Sequence, residues 1–404
     1  MRILPYLVAC FLSISFVSLK IYRETTMGKK IYADLSSLEK LLKTPLVGST
    51  RDTYSYLTSA YGYYKNLLPI VEINGKNYFI TFRFLSSIVF VPFMWLFGGY
   101  FPLAYIVFFT FSVLFLYVLL LETLRIKPLI IIFTLLLISP LIFYHIPRLM
   151  LEGPTIALLL SFLVLFFKGK LIFSIFPLIL ASFIRGEIAI VLLIFGIYLL
   201  LKTKNPFFLI SFVPITLQAF MNMYLGDQSN FYFWTYKAYL QNVKGVEYSN
   251  QKVQNCVQKK LGFIPEKILQ GAYPYSKIST DCLKEVLKDE IKLKDLGIAI
   301  KNIFTNIINL LLYFPNRILK FLPKIFLIFY IIYNLFVLVS IIFYFLKGFR
   351  ILLILYFSLI FVYSLYNPFG FFDFSRFKQM LIPFEIVFIF SLASKYHLNS
   401  LLKR

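Results

Sequence analysis

The chain has 404 residues, of which 60% are hydrophobic, 20% aromatic and 15% charged, with a mean hydropathy of +0.80. That composition excludes a soluble enzyme, a collagen-like fibre and a disordered chain, and defines an integral membrane protein. The 41 Lys and Arg against 18 Asp and Glu give a net charge of +23, yet most of these cations flank apolar runs, where they orient the chain and meet anionic headgroups, so no nucleic-acid partner follows from them.

The first apolar run, 3 to 19, reads as an uncleaved anchor. No small-x-small cleavage site follows it, and the box-like Leu7-Val8-Ala9-Cys10 comes after too short an apolar stretch for a lipoprotein signal. Further runs cover 84 to 97, 102 to 121, 128 to 146, 154 to 167, 171 to 184, 188 to 201, 206 to 225, 324 to 346, 351 to 366 and 380 to 394. A hydrocarbon core about 30 Å thick takes roughly 20 residues per helix. The expected fold class is therefore an all-α polytopic membrane protein with about ten transmembrane helices and juxtamembrane helices in a large first external loop. Three parts are expected: 1–225, an N-terminal transmembrane module containing the first external loop (20–101); 226–323, an external loop domain with interfacial helices; and 324–404, the C-terminal transmembrane helices.

Short basic connectors set the orientation. Arg125 and Lys127, Lys168 and Lys170, Lys202 and Lys204, Lys347 and Arg350, and Lys395, Lys403 and Arg404 all follow the positive-inside rule if they are cytoplasmic. Arg2 also favours a cytoplasmic N-terminus, so one run must not cross. The run 84 to 97 is the weakest candidate, short for a span and interrupted by Ser86, Ser87 and Pro92, which makes it a juxtamembrane or re-entrant helix. The competing topology has an external N-terminus and a cytoplasmic first loop, supported by Lys20, Arg23, Lys29 and Lys30. On the preferred topology the outer face receives loops 20 to 101 and 226 to 323, with short loops at 148 to 153, 185 to 187 and 367 to 379. In the first of these, Asp34 is expected to cap a short surface helix bearing Leu35, Leu38, Leu41 and Leu42. In the second, Thr280 to Asp295 reads as a charged helix leading into an amphipathic stretch, 298 to 322. Cys256 and Cys282 share this loop, and an oxidising compartment allows them to pair; two free thiols is the alternative.

Four acids mark the outer boundary, each with an arginine neighbour: Asp52 with Arg51, Glu152 with Arg148, Glu187 with Arg185, and Asp373 with Arg376. Carboxylates and guanidiniums gathered at one membrane face suit the gripping of a phosphate and the deprotonation of a hydroxyl, although boundary charges also simply anchor helix ends. Glu385, inside the last run, must face a polar interior or be protonated. His145 and His397 are the only histidines and lie on opposite predicted faces, which leaves no histidine zinc site or Ser-His-Asp triad. No phosphate-cradling G-x-x-x-x-G-K-[ST] occurs, so ATP-driven transport by this chain is not expected.

This arrangement resembles the GT-C superfamily of membrane glycosyltransferases, especially the branch with protein O-mannosyltransferases and the lipid A aminoarabinose transferase. The likeness rests on Asp52-Thr-Tyr-Ser-Tyr56-Leu-Thr-Ser-Ala60 in the first external loop, the juxtamembrane stretch from Phe82-Arg83-Phe84-Leu85 to Leu96-Phe97-Gly98, Arg148-Leu-Met-Leu-Glu152-Gly-Pro154, Ile184-Arg185-Gly-Glu187, and Arg376-Phe377 followed by Pro383. Phe377 stands where the family has Tyr, and the prolines usual after the juxtamembrane Arg are missing. The resemblance implies inverting transfer of a sugar from a polyprenyl-phosphate donor to a lipid, protein or glycan acceptor at the extracytoplasmic face, with no nucleotide. It implies Asp52 as catalytic base, Arg83, Arg185, Arg376 and Lys378 as holders of the donor phosphate, and Tyr56, Arg148, Glu152 and Glu187 as acceptor-binding or supporting groups. Use of a divalent metal is left open. The expected location is a bacterial inner membrane with the site on the periplasmic side. An O-antigen-type polysaccharide polymerase or ligase is the alternative function, and a transporter or lipid flippase a third, against which stands the lack of an inverted repeat.

Overall fold

The computed structural model describes residues 3–50, 52–73, 75–228, 246–266, 269–290, 295–312, 325–346, 350–365 and 371–393, with backbone alone for 140–145, 246–250, 290, 325–327, 329, 371–376 and 391–393. The chain opens with α1 (Leu4–Thr26), then α2 (Leu38–Lys43) and α3 (Thr53–Asn66). A hairpin of β1 (Ile70–Ile73) and β2 (Lys76–Phe79) follows, pairing Ile70 with Phe79 and Ile73 with Lys76. Next come α4 (Phe84–Ser87), α5 (Val91–Phe97), α6 (Phe101–Thr123), α7 (Pro128–His145), α8 (Glu152–Phe167), α9 (Leu171–Ile184), α10 (Ile188–Thr203) and α11 (Val213–Phe220). The remainder forms α12 (Val246–Leu261), α13 (Tyr275–Glu290), α14 (Leu296–Leu311), α15 (Ile325–Leu346), α16 (Arg350–Leu365) and α17 (Phe371–Ala393).

Helices dominate because the apolar runs satisfy most backbone groups within each segment, and the prolines inside α9 and α17, Pro177 and Pro383, are tolerated among packed neighbours. Among the described residues, Leu4–Thr26, Phe84–Thr123 and Pro206–Leu225 are long and apolar enough to cross a membrane, and several shorter apolar helices accompany them. α8 is buried along nearly its whole length and packs against α6, α9 and α17, which makes it the centre of the bundle.

The run 84 to 97 does not extend α6. Phe90 stacks on Tyr105 at 4.5 Å between ring centroids, and Phe93 meets Tyr105, Phe108 and Phe109 at 5.3, 5.5 and 5.7 Å, so α5 folds back beside the first turns of α6. Gly98 makes the turn with φ 51° and ψ −131°, a conformation open only to a residue without a Cβ.

Four expectations are corrected. The last helix starts by Phe371, not at 380, so residues 371–379 of the expected external loop are helical and carry Arg376 and Lys378 on α17. Ser37, not Asp34, caps α2 by accepting from the Lys40 amide at 3.2 Å, while Asp34 accepts from the Ser36 amide. The charged helix of the second loop runs from Tyr275 to Glu290, and the amphipathic one after it covers Leu296–Leu311, with 313–322 outside the described residues. The first loop also contains the β-hairpin, which the all-helical expectation lacked.

Candidate functional site

Charge is partitioned between the two ends of the bundle. At one end the Tyr6 hydroxyl, near the start of α1, donates to Glu122 at the end of α6 (2.7 Å), just before Arg125 and Lys127. α8 runs towards Lys168 and Lys170 at this end, α9 returns, and α10 ends beside Lys202 and Lys204. At the other end the Gly48 amide donates to Glu24 near the close of α1 (2.6 Å), and the Tyr105 hydroxyl donates to the Met150 carbonyl (2.7 Å). The predicted acids gather there.

Glu152 opens α8 and Glu187 precedes α10, so both carboxylates stand at helix N-termini, where backbone dipoles favour negative charge. Between them lies Arg185, in extended backbone where α9 stops. Its Nη1 lies 3.0 Å from Glu152 Oε1, while its Nε and Nη2 lie 2.6 and 2.5 Å from Glu187 Oε1. Glu152 and Glu187 are only 2% and 8% exposed, so the pairing is shielded from water. Burial disfavours the charge of Arg185, but the fields of Glu187, Tyr363 and Glu152 outweigh it and hold the guanidinium charged well above its ordinary range. Tyr56 of α3 contributes to the same field.

α3 carries the first-loop motif. Asp52 is its N-cap residue without a side-chain cap bond, and Tyr56 lies four residues on, so the two share a helix face. The Thr53 hydroxyl donates to the Leu149 carbonyl (2.9 Å), which fastens this end of α3 to the segment leading into Glu152. Arg83 lays its guanidinium over the Tyr56 ring, 4.5 Å from the centroid, and Tyr56 in turn stacks on Phe90 at 6.1 Å. A cation held over an aromatic face in this way gains about 0.5–2 kcal/mol. The structure therefore brings Asp52, Tyr56, Arg83, Glu152, Arg185 and Glu187 to one end of the bundle.

Two further expected site residues have other neighbours. Arg148 borders Gly48 at a second charged group, where Glu24 accepts from Lys20 (2.6 Å), Lys29 (3.1 Å) and the Gly48 amide. Lys378 turns into the helix bundle and bonds Glu385. The side chains of Arg376 and Asp373 lie outside the described residues, as does Arg51. The residue after Arg376, Phe377, stacks on Tyr363 at 4.6 Å with an interplanar angle of 15°, which joins the early part of α17 to the end of α16. Tyr363 itself was missed, because a tyrosine near the end of an apolar run carries no distinguishing pattern.

Cys256 and Cys282 are joined, with sulfurs 2.08 Å apart and Cα atoms 5.7 Å apart, linking α12 to α13. Among the described residues the one grouping of three metal-type ligands is Cys256, Cys282 and Glu285. Its two sulfurs are bonded to each other, which leaves no thiolate for an ion. No family model, curated protein or solved structure matches the chain.

Proposed function

We propose that this protein is a membrane glycosyltransferase that moves a sugar from a polyprenyl-phosphate donor to an acceptor hydroxyl at the extracytoplasmic face. The observation that supports the reading is that Asp52 with Tyr56, the Arg83–Tyr56 pair and the Glu152–Arg185–Glu187 triad, from four separated chain segments, share the bundle end opposite the basic connectors. A bundle of about ten crossings, with α5 outside the count, leaves this end on the outer side if the basic connectors are cytoplasmic. A lipid-linked donor then reaches the site laterally, and its phosphate needs no nucleotide.

In this mechanism Asp52 takes the acceptor's hydroxyl proton as the acceptor oxygen attacks the anomeric carbon and the bond to the carrier phosphate breaks, so the configuration inverts. Arg83, held over the Tyr56 ring, meets the growing charge on the departing phosphate, a task suited to a guanidinium fork. Arg185 is shared by two carboxylates, so its part is to hold Glu152 and Glu187 in place as much as to meet the phosphate. Aromatic faces and carboxylates side by side also suit a pyranose ring with its hydroxyls. A bacterial inner membrane is the setting this reading favours.

The test is turnover of a polyprenyl-phosphate sugar by the protein in nanodiscs, with glycolipid and glycan products identified by mass spectrometry. Asp52→Asn keeps the shape of the side chain but cannot take a proton, so turnover falls by about 10² or more while donor affinity survives. Normal turnover by that variant at saturating substrate removes Asp52 as the base.

A further inference from the structure

The backbone ahead of Arg83 is held by a segment from the second long loop. The Gly271 carbonyl accepts from the Thr81 amide (2.9 Å), the Phe82 amide (3.1 Å) and the Thr81 hydroxyl (3.2 Å). Beside it the Tyr273 amide donates to the Phe79 carbonyl (2.8 Å), and Ile80 pairs with Ala272 in an antiparallel bridge. From the opposite side the Ser59 hydroxyl of α3 donates to the Phe82 carbonyl at 3.0 Å. Gly271 allows no alternative at this crossing, since a Cβ there would stand 2.8 Å from Phe82 Cβ.

Arg83 follows directly, with φ 58° and ψ 25°. A long side chain in the left-handed region costs about 1 kcal/mol or more and persists only where its surroundings over-determine it. Here they do: the Arg83 carbonyl accepts from both the amide (3.0 Å) and the hydroxyl (2.6 Å) of Ser87, and its guanidinium is placed over Tyr56. The next link runs into the disulfide-joined helix pair, because α13 begins at Tyr275 and carries Cys282. Ser276 and Thr280 of α13 also donate their hydroxyls to the Leu225 and Gly226 carbonyls (3.0 Å each), which fixes the clamp to the end of the α11 segment.

We propose that residues 269 to 273 form a clamp that positions Arg83 in the site, with Gly271 as the positioning residue. The cationic arm that meets the donor is thus assembled only when both long loops are folded together. The phosphate role of Arg83 rests on the function proposed above; the positioning itself does not.

Two measurements on the full-length protein in nanodiscs separate these. With Cys10→Ala to remove the free thiol, Arg83→Cys is labelled by a charged methanethiosulfonate, alone and combined with Gly271→Ala. The clamp requires the labelling rate to change several-fold on adding Gly271→Ala, and an unchanged rate overturns it. Thr81→Val, which removes one hydroxyl donor and adds no atom at the crossing, should move the rate in the same direction if Gly271→Ala disturbs folding. The second measurement is affinity for a polyprenyl monophosphate. Gly271→Ala should weaken it by about tenfold, within the usual range for residues coupled through a shared backbone shift, and should add nothing in an Arg83→Ala background. Equal weakening in both backgrounds means that Gly271 does not act through Arg83. If Arg83→Ala alone leaves the affinity unchanged, the phosphate role falls, and the labelling rate still decides the positioning.

Discussion

Lys378 and Glu385 of α17 meet at 2.5 Å with side chains only 3% and 0% exposed. Glu385 also accepts from Tyr333 of α15 (2.7 Å) and Tyr356 of α16 (2.8 Å), so one carboxylate ties three helices together. Lys378 reaches on to the Leu311 carbonyl at the end of α14, at 3.4 Å. Both groups have their partners inside the bundle, which accounts for an acid in an apolar helix and places Lys378 in a structural stitch. Removing one member of a buried ion pair strands the other, whereas removing both removes the desolvation cost as well. Lys378→Met alone and Glu385→Leu alone should each destabilise the protein by about 3–5 kcal/mol, and the double variant should recover most of that loss. Thermal unfolding in detergent reads this, and additive losses would show that the two side chains do not depend on each other.

The disulfide closes a stretch with a sequence separation of 26 residues between α12 and α13. A loop of that size restricts the unfolded chain by about 3.5 kcal/mol. Cys256→Ser should therefore lower the unfolding midpoint and expose the α12–α13 pair to protease before the membrane helices. Equal protease resistance of the variant and the parent would mean that the second loop is held without the bond.

Orientation is tested by the charge partition. Single cysteines at Lys168 and Lys204, in a Cys10→Ala background, should react with a membrane-impermeant reagent only from the cytoplasmic side. One at Asp52 should react only from outside. Labelling of position 52 from the cytoplasm would invert the molecule and separate the site from an extracytoplasmic acceptor.

The helices were legible because the apolar runs end at basic connectors, and observed ends such as Leu171–Ile184 match the run itself. The start of α17 was not legible, because Lys378 reads as a loop charge until its partner Glu385, seven residues on, is seen to face it inside the bundle. The hairpin had a signal, Asn74-Gly75 between two β-prone stretches, which is the composition of a two-residue turn. In the site, the acids and arginines were readable from their scarcity and boundary positions. Their partners were not: Glu152 and Arg185 are 33 residues apart, and Thr81 and Gly271 are 190 apart, distances over which a single sequence carries no pairing signal.

Arg185 poses the sharpest question about the site, because its removal has two consequences that must be told apart. Arg185→Ala leaves Glu152 and Glu187, both nearly buried, without their shared cation, which should cost about 3–5 kcal/mol of stability whatever Arg185 does in catalysis. Adding Glu152→Gln removes one stranded charge and should return part of that stability. If Arg185 serves only to hold the two acids, donor affinity returns with it. If it also touches the donor phosphate, affinity for a polyprenyl monophosphate stays low in the double variant while the unfolding midpoint rises. Arg185→Lys supplies the remaining arm: a lysine offers a point charge in place of a planar fork and cannot serve Glu152 and Glu187 in the same geometry. Its stability should lie between parent and alanine variant, and its turnover should fall further than its stability does. Parent-like turnover of Arg185→Lys would show that the fork has no part in the chemistry and that a single positive charge between the two acids is enough.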